Sequence, residues 1–137
     1  MLDDTDKKIL RELSKNGRMS MKELGKKVHL TGQATSSRVI KLEENGVIEG
    51  YTIKLNKLKS GYLVHTFIYI YIYTKDVQHQ PFLSFIKTQH EYIINNFKIS
   101  GEGCYLLECK FSSNEVLDQF LTKLNLHANY KLSIVIN

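Results

Sequence analysis

The sequence predicts an α+β protein in which an N-terminal winged helix-turn-helix precedes a ferredoxin-like βαββαβ sandwich. Residues 20–48 form the pattern of two short helices joined by a tight turn, with small polar residues opening the second helix. The remainder of the chain shows strand-like and helix-like hydrophobic patterns in the order βαββαβ. We therefore expect one domain over 1–55, a linker over 56–63 and a second domain over 64–137.

The charge distribution separates these two domains. The 137-residue chain has a net charge of +5, with 42% hydrophobic and 24% charged residues. Residues 1–60 hold 13 Lys and Arg against 8 Asp and Glu, whereas residues 61–137 hold 6 against 6. A basic domain joined to a neutral one indicates that the first binds a polyanion and that the second has a different task.

Several classes of site are not expected. The cysteines, Cys104 and Cys109, form no CxxC pair, and their spacing places them on opposite faces of a strand. The five histidines show no metal-ligand spacing, and no nucleophile–base pair or paired carboxylates indicate an enzyme. We expect no metal and no cofactor.

The chain shows no targeting or membrane segment. Its N-terminus lacks the apolar core of a signal peptide. The longest apolar run, 67–73, is far shorter than the roughly twenty residues that span a bilayer. We expect a cytoplasmic protein without membrane contact.

Three helices are predicted in the first domain. The first covers 3–14. Aspartates near its start can cap the free amides and interact favourably with the helix dipole. Ser20 caps the second and forms a capping box with Glu23, and Gly25 allows the next helix to approach closely. Thr31 caps the third helix, whose inward face has the i, i+4, i+7 spacing of Thr35, Val39 and Leu42.

Helix-ending and helix-starting residues, together with alternating hydrophobicity, predict the remaining elements. Asn45-Gly46 ends the third helix, and 47–55 alternates as the strand of a small wing. Strands are expected over 64–74, 92–100, 104–111 and 131–136, with helices beginning near Pro81 and after Ser113. The first strand is apolar or semi-apolar on both faces. Its aromatic face is either covered by a second copy of the chain, which we favour, or turned to water through the tyrosine hydroxyls. The predicted dimer interface is Phe67, Tyr69, Tyr71 and Tyr73.

The outward positions of the third helix offer the chemistry that double-stranded DNA requires. Gln33 can pair with adenine, and Ser36 or Ser37 can bond base edges or phosphate. Arg38 and Lys41 are candidate phosphate or guanine contacts, but Arg38 could instead bridge to Glu43 or to a carboxylate of the first helix. The predicted DNA-binding residues are Thr31, Gln33, Ala34, Ser36, Ser37, Arg38 and Lys41. On the preceding helix, Lys22, Lys26 and Lys27 can reach the DNA backbone.

The ordered combination of motifs resembles the Lrp/AsnC family of transcription regulators. It comprises residues 2–6 and 9–10, 17–20 with 23–24, 38–39 with 42–43, 46–48 with 50–51, Gly61, and 100–102 followed by 105–107. The resemblance implies a DNA-binding domain over 1–55 and a domain over 64–137 that dimerises. It also implies assembly of dimers into tetramers or octamers, and amino-acid binding between dimers.

One departure bears on the effector. The family often has Gly-x-x-Asp in the turn after the second strand, and here Cys104 follows Gly101 where that Asp would stand. A thiol cannot offer a carboxylate's charge to an ammonium group, although the backbone of the turn can still line a pocket. The candidate effector residues are Gly101, Glu102, Gly103 and Cys104.

Two alternatives remain from the residues. One is an effector-independent, architectural DNA-binding protein. The other is an RNA-binding module, because the RRM shares the βαββαβ order. The third strand lacks the RRM's basic-Gly-aromatic-Gly-Phe pattern, and the neutral charge of this half also disfavours RNA.

Overall fold

The computed structural model describes residues 1–72 and 79–136. It divides into two compact units, Met1–Lys54 and Leu55–Asn137. Among the described residues, no helix combines the length and the apolar character needed to cross a membrane.

The N-terminal unit contains three helices, α1 (Asp4–Lys15), α2 (Met21–Val28) and α3 (Gly32–Glu44). Each begins at a side chain that accepts a hydrogen bond from a free amide of the first turn. The buried face of α3 is the predicted one, Thr35, Val39 and Leu42. The apolar members of this face pack with Ile9, Met19, Leu24 and Val28 in a core of their own.

The complete capping box occurs at α1 instead of α2. Asp3 accepts from the Asp6 amide through Oδ1 at 2.7 Å, and Asp6 accepts from the Asp3 amide through Oδ2 at 3.4 Å. In α2, Ser20 Oγ accepts from the Glu23 amide at 3.1 Å, which is one half of the box predicted there. Asp at the N-cap and at the third helical position can form a capping box, because each carboxylate accepts from the amide of the other residue.

The strand predicted over 47–55 is wrong. After two amide bonds from Val47 and Ile48 to the Leu42 carbonyl, residues 49–55 pair with no strand among the described parts of the chain. Alternating hydrophobicity alone does not make a strand, because the hydrogen-bond ladder of a sheet requires a neighbouring strand. Tyr51 and Ile53 are consequently exposed.

The C-terminal unit is the predicted ferredoxin-like sandwich, and the α+β fold class is confirmed. Its elements are β1 (Val64–Tyr71), α4 (Gln80–Lys87), β2 (Ile93–Lys98), β3 (Tyr105–Phe111), α5 (Asn114–Leu124) and β4 (Asn129–Ile134). The sheet order is β2-β3-β1-β4, with antiparallel neighbours throughout. The last strand lies two residues earlier than predicted.

One face of the sheet packs against α4 and α5. It presents Ile68 and Ile70 of β1 and Leu107 and Phe111 of β3, and the helices contribute side chains such as Phe82 and Phe120. Cys109 lies on the same face, fully buried, whereas Cys104 is half-buried in the turn before β3. Burial, with a smaller contribution from the charge of Glu108, raises the pKa of the Cys109 thiol to about 12.

Two fully buried threonines allow a matched stability test. Thr35 Oγ1 donates to the Thr31 carbonyl at 2.8 Å, whereas Thr66 Oγ1 has no hydrogen-bond partner among the described residues. We expect Thr66→Val to raise the free energy of unfolding by about 1 kcal/mol, because valine removes an unpaired buried hydroxyl. Thr35→Val should lower it by about 1 kcal/mol. Urea unfolding of the two full-length variants compares them, and a loss of stability in both would contradict the prediction.

Candidate nucleic-acid interface

Helices α2 and α3 are joined by a tight turn with an αL residue. His29 ends α2 at φ 60°, and its amide bonds the Gly25 carbonyl. Thr31 then caps α3, with its hydroxyl accepting from the Ala34 amide at 3.1 Å. The two helices are thus fixed by local backbone geometry, which is the helix-turn-helix plan.

Gly25 is required at the crossing of the two helices. A Cβ at this position would lie 2.5 Å from the Leu30 carbonyl oxygen, 3.2 Å from the Thr31 carbonyl oxygen and 3.0 Å from Thr35 Oγ1. Two of these neighbours are backbone atoms, which cannot rotate away. The close approach predicted for Gly25 is confirmed.

The outward face of α3 presents a row of exposed polar side chains. Gln33, Ser37 and Lys41 follow at i, i+4 and i+8, opposite the buried face. Ala34 and Ser36 are half-buried at its flanks, and Thr31 is exposed at the start of the helix. This row joins an amide, a hydroxyl and an ammonium group on one convex surface, and such groups can bond base edges and phosphates.

Arg38 has a different environment from the rest of the predicted set. Its Nη1 donates to Asp3 Oδ2 at 2.6 Å and to Asp6 Oδ1 at 3.2 Å, so the structure forms the predicted alternative with carboxylates of the first helix. The hydrogen bonds that Arg38 donates to both carboxylates raise the pKa of Arg38 above its ordinary value. The pKa of Asp3 is lowered, first by the Asp6 amide and then by Arg38.

The lysines of α2 are all exposed at the surface. Lys22 and Lys26 have no ion-pair partner among the described residues, and Lys27 Nζ lies 3.9 Å from Glu12 Oε2. An exposed pair at that distance contributes little and breaks readily, so Lys27 remains available to an external anion.

The predicted effector residues lie together in the turn between β2 and β3. Gly103 adopts φ 85°, and a Cβ there would lie 2.7 Å from the Ile70 carbonyl oxygen, so this turn packs directly on β1. Cys104 donates its amide to the same carbonyl at 2.7 Å. The Glu102 carboxylate accepts from the Tyr71 hydroxyl and lies 3.6 Å from Lys131 Nζ, and these partners lower its pKa.

The sheet face opposite the helices is partly apolar. Phe67, Tyr69 and Tyr71 are half-buried on β1. Tyr69 is paired with Leu106 of β3, which is paired with Phe97 of β2, so that an apolar row crosses three strands. Tyr73, the fourth predicted interface residue, lies outside the described residues.

A bonded polar cluster adjoins this row. Glu108 accepts from Asn95 Nδ2 at 2.8 Å and lies 2.7 Å from His65 Nε2. Burial raises the pKa of Glu108, but the bonds to Asn95 and His65 outweigh burial, and the pKa lies below its ordinary value. Within the described residues, no group of three or more His, Cys, Asp or Glu could hold a metal ion.

Comparison with known proteins decides the family. Residues 2–49 match the family model described as winged helix-turn-helix DNA-binding. The chain is 63% identical, over 99% of its own length and 98% of the relative's, to the HTH-type transcriptional regulator LrpA of Bacillus subtilis. The chain belongs to the Lrp/AsnC family of transcriptional regulators.

Solved structures of Lrp/AsnC proteins match the whole chain. LrpC of B. subtilis superposes with a TM-score of 0.90 at 31% identity, covering 100% of this chain and 96% of that one. A feast or famine regulatory protein of Mycobacterium tuberculosis, complexed with L-methionine, gives a TM-score of 0.90 at 27% identity, covering 100% and 93%. This Lrp/AsnC regulator therefore has the fold of the family.

One exposed residue of α3 was not predicted from the sequence. Ile40 is 50% exposed and lies seven residues after Gln33, on the outward face of α3. The same i, i+7 spacing that selected the inward residues would have found it. An exposed aliphatic residue carries no hydrogen-bonding group, and hydrophobic residues at the surface are common.

Proposed function

We propose that this Lrp/AsnC regulator inserts α3 into the major groove of double-stranded DNA in the cytoplasm. The exposed row of Gln33, Ser37 and Lys41 carries the proposal, because these polar side chains lie outside the core, opposite the buried face of the helix. Gln33 is in the first turn, where recognition helices contact base edges, and its amide suits adenine. Lys41 is two turns further and suits a phosphate. Thr31, Ala34 and Ser36 complete the surface around the amino end of α3, where free amides attract phosphate.

We propose that two copies of the chain pack their open sheet faces together. The row of Tyr69, Leu106 and Phe97 provides an apolar centre, and half of the Phe97 side chain is exposed in the single chain. The cluster around Glu108 has its hydrogen bonds already formed, which reduces the cost of burying it. A two-fold dimer also presents two α3 helices to successive half-sites. Dimers then associate into a tetramer or octamer.

We further propose that an α-amino acid modulates DNA binding from the turn 101–104. Support comes from two structural neighbours solved with L-methionine, the M. tuberculosis protein and a transcriptional regulator of Neisseria meningitidis. Backbone groups of Gly101 and Gly103 would line the site. Cys104 provides no charge there, and Glu102 already has two partners on the sheet.

Replacement of Lys41 tests the DNA surface. We expect Lys41→Ala to weaken binding to all sequences and to lower the slope of log K against log salt concentration by about 1, because one phosphate contact is lost. Fluorescence anisotropy with the DNA upstream of the protein's own gene gives both quantities. Lys123→Ala removes the same charge from α5 and should leave the slope unchanged. Equal slopes for wild type and Lys41→Ala would rule out a phosphate contact.

The effector is tested by the same titration with and without a mixture of the twenty amino acids. We expect the mixture to change the midpoint at fixed salt, because a ligand that prefers one assembly shifts the population toward it. Single amino acids then identify the effector. Salt-sensitive binding that ignores the mixture would contradict effector control and would favour a constitutive, architectural DNA-binding protein.

A further inference from the structure

Arg38 is bound by a network that leaves no carboxylate oxygen of Asp3 or Asp6 without a contact. Asp3 uses Oδ1 for the Asp6 amide and Oδ2 for Arg38. Asp6 uses Oδ2 for the Asp3 amide and Oδ1 for Arg38. The capping box of α1 and the guanidinium group of α3 thus form one unit.

We infer that Arg38 is a positioning residue, which fixes the recognition helix to the start of α1 and does not contact DNA. This inference rests on the proposed insertion of α3 into DNA. A phosphate that approached the guanidinium group would meet two carboxylates that already neutralise it, and Asp4 adds a third negative charge in the same turn. To donate to a phosphate, Nη1 of Arg38 would have to leave both carboxylates.

The position of Arg38 on α3 supports the same conclusion. It follows Ser37 and precedes Val39, between the exposed and the buried faces, and its side chain is only 35% exposed. Hydrophobic packing is non-directional, so apolar contacts between α1 and α3 do not by themselves fix the relative orientation of the two helices. A planar guanidinium group with two fixed acceptors is directional, so it defines how α3 sits relative to α1.

The first experiment measures the network without DNA. Asp3→Asn keeps a good N-cap while it removes the charge, and Arg38→Gln removes the donor charge. Hydrogen exchange of the α1 and α3 amides in the full-length chain should accelerate roughly three- to tenfold in each single variant. The double variant should exchange no faster than the faster single variant, because both changes break the same network. Multiplicative effects would overturn the inference.

The second experiment measures DNA binding over a range of salt. Arg38→Gln should lower the affinity about two- to tenfold with an unchanged salt slope, since no phosphate contact is lost. Lys41→Ala, on the same helix, should lower the slope by about 1. Arg38→Lys keeps the positive charge on a shorter side chain, and its salt slope should likewise equal that of wild type. A reduced slope for Arg38→Gln that Arg38→Lys restores would show a phosphate contact and overturn the inference.

These readouts separate the inference from the proposed function. If the wild-type chain binds no DNA but the exchange effects are coupled, the proposed function fails and the structural tie stands. If Lys41→Ala and Arg38→Gln lower the slope equally, the proposed DNA surface stands and the positioning role of Arg38 fails.

Discussion

Gly25→Ala should destabilise the N-terminal domain by about 2 kcal/mol or more. The new methyl group would stand 2.5 Å from the Leu30 carbonyl oxygen, so α3 and the turn must move away from α2. The helical preference of alanine over glycine stabilises the helix by about 1 kcal/mol, which is less than the cost of displacing the backbone. Urea unfolding of the full-length chain, followed by circular dichroism, measures the loss.

Gly32→Ala is the matched control for this prediction. Its Cβ would lie 3.5 Å from Lys22 Cα, an ordinary contact, and Gly32 is likewise helical. We expect this variant to gain up to about 1 kcal/mol of stability, because no clash opposes the helical preference of alanine. DNA affinity should fall more than tenfold for Gly25→Ala alone, because the recognition helix is displaced. Equal stability of the two variants would show that the turn yields without cost.

Tyr69→Arg should convert the proposed dimer into single chains. Tyr69 lies at the centre of the open sheet face, between Leu106 of β3 and Lys131 of β4. A guanidinium group there would be desolvated beside its own copy across the two-fold axis and would repel Lys131, at a cost of about 3 kcal/mol or more. Light scattering should find the mass of one chain, 15.9 kDa, and anisotropy should show at least a tenfold loss of DNA affinity.

Leu126→Arg is the control for the sheet face. Leu126 is 80% exposed just after α5, so the variant adds the same charge to the opposite layer of the sandwich. The dimer should persist in this variant. A Tyr69→Arg protein that still forms dimers would place the interface elsewhere. A wild-type chain that is monomeric at micromolar concentration would refute the dimer, and the exposed aromatic row would then be tested for RNA binding.

The sequence predicts local features of this fold well. The buried face of α3 follows from a spacing within one helix, and Thr31 caps that helix through a hydroxyl three residues from its partner amide. Periodicity and capping depend on neighbours along the chain, so they can be deduced without knowledge of the tertiary structure. The order of strands and helices in the second domain was predictable for the same reason.

Features that depend on distant parts of the chain were not determined by sequence reasoning. The strand expected over 47–55 lacks a partner among the described residues, and no pattern within nine residues reveals that. The pairing of Arg38 with Asp3 joins residues 35 positions apart, and the sequence left it as one alternative. The DNA-contacting roles along α3 and the effector site at 101–104 remain predictions for the titrations above.

The fully buried thiol on β3 makes the second domain a reporter of its own opening. Because the thiolate is the reactive form, Cys109 in the folded chain should resist alkylating reagents on two grounds, the pKa of about 12 and the lack of access. Cys104, half-buried in its turn, should be modified first. Mass spectrometry of briefly alkylated protein therefore distinguishes two populations. Molecules with one adduct, on Cys104, have a closed domain, and molecules with two adducts have a domain that has opened and exposed Cys109. Bound DNA, amino acids or a second subunit that stabilise this domain would each slow the appearance of the second adduct, without any engineered probe.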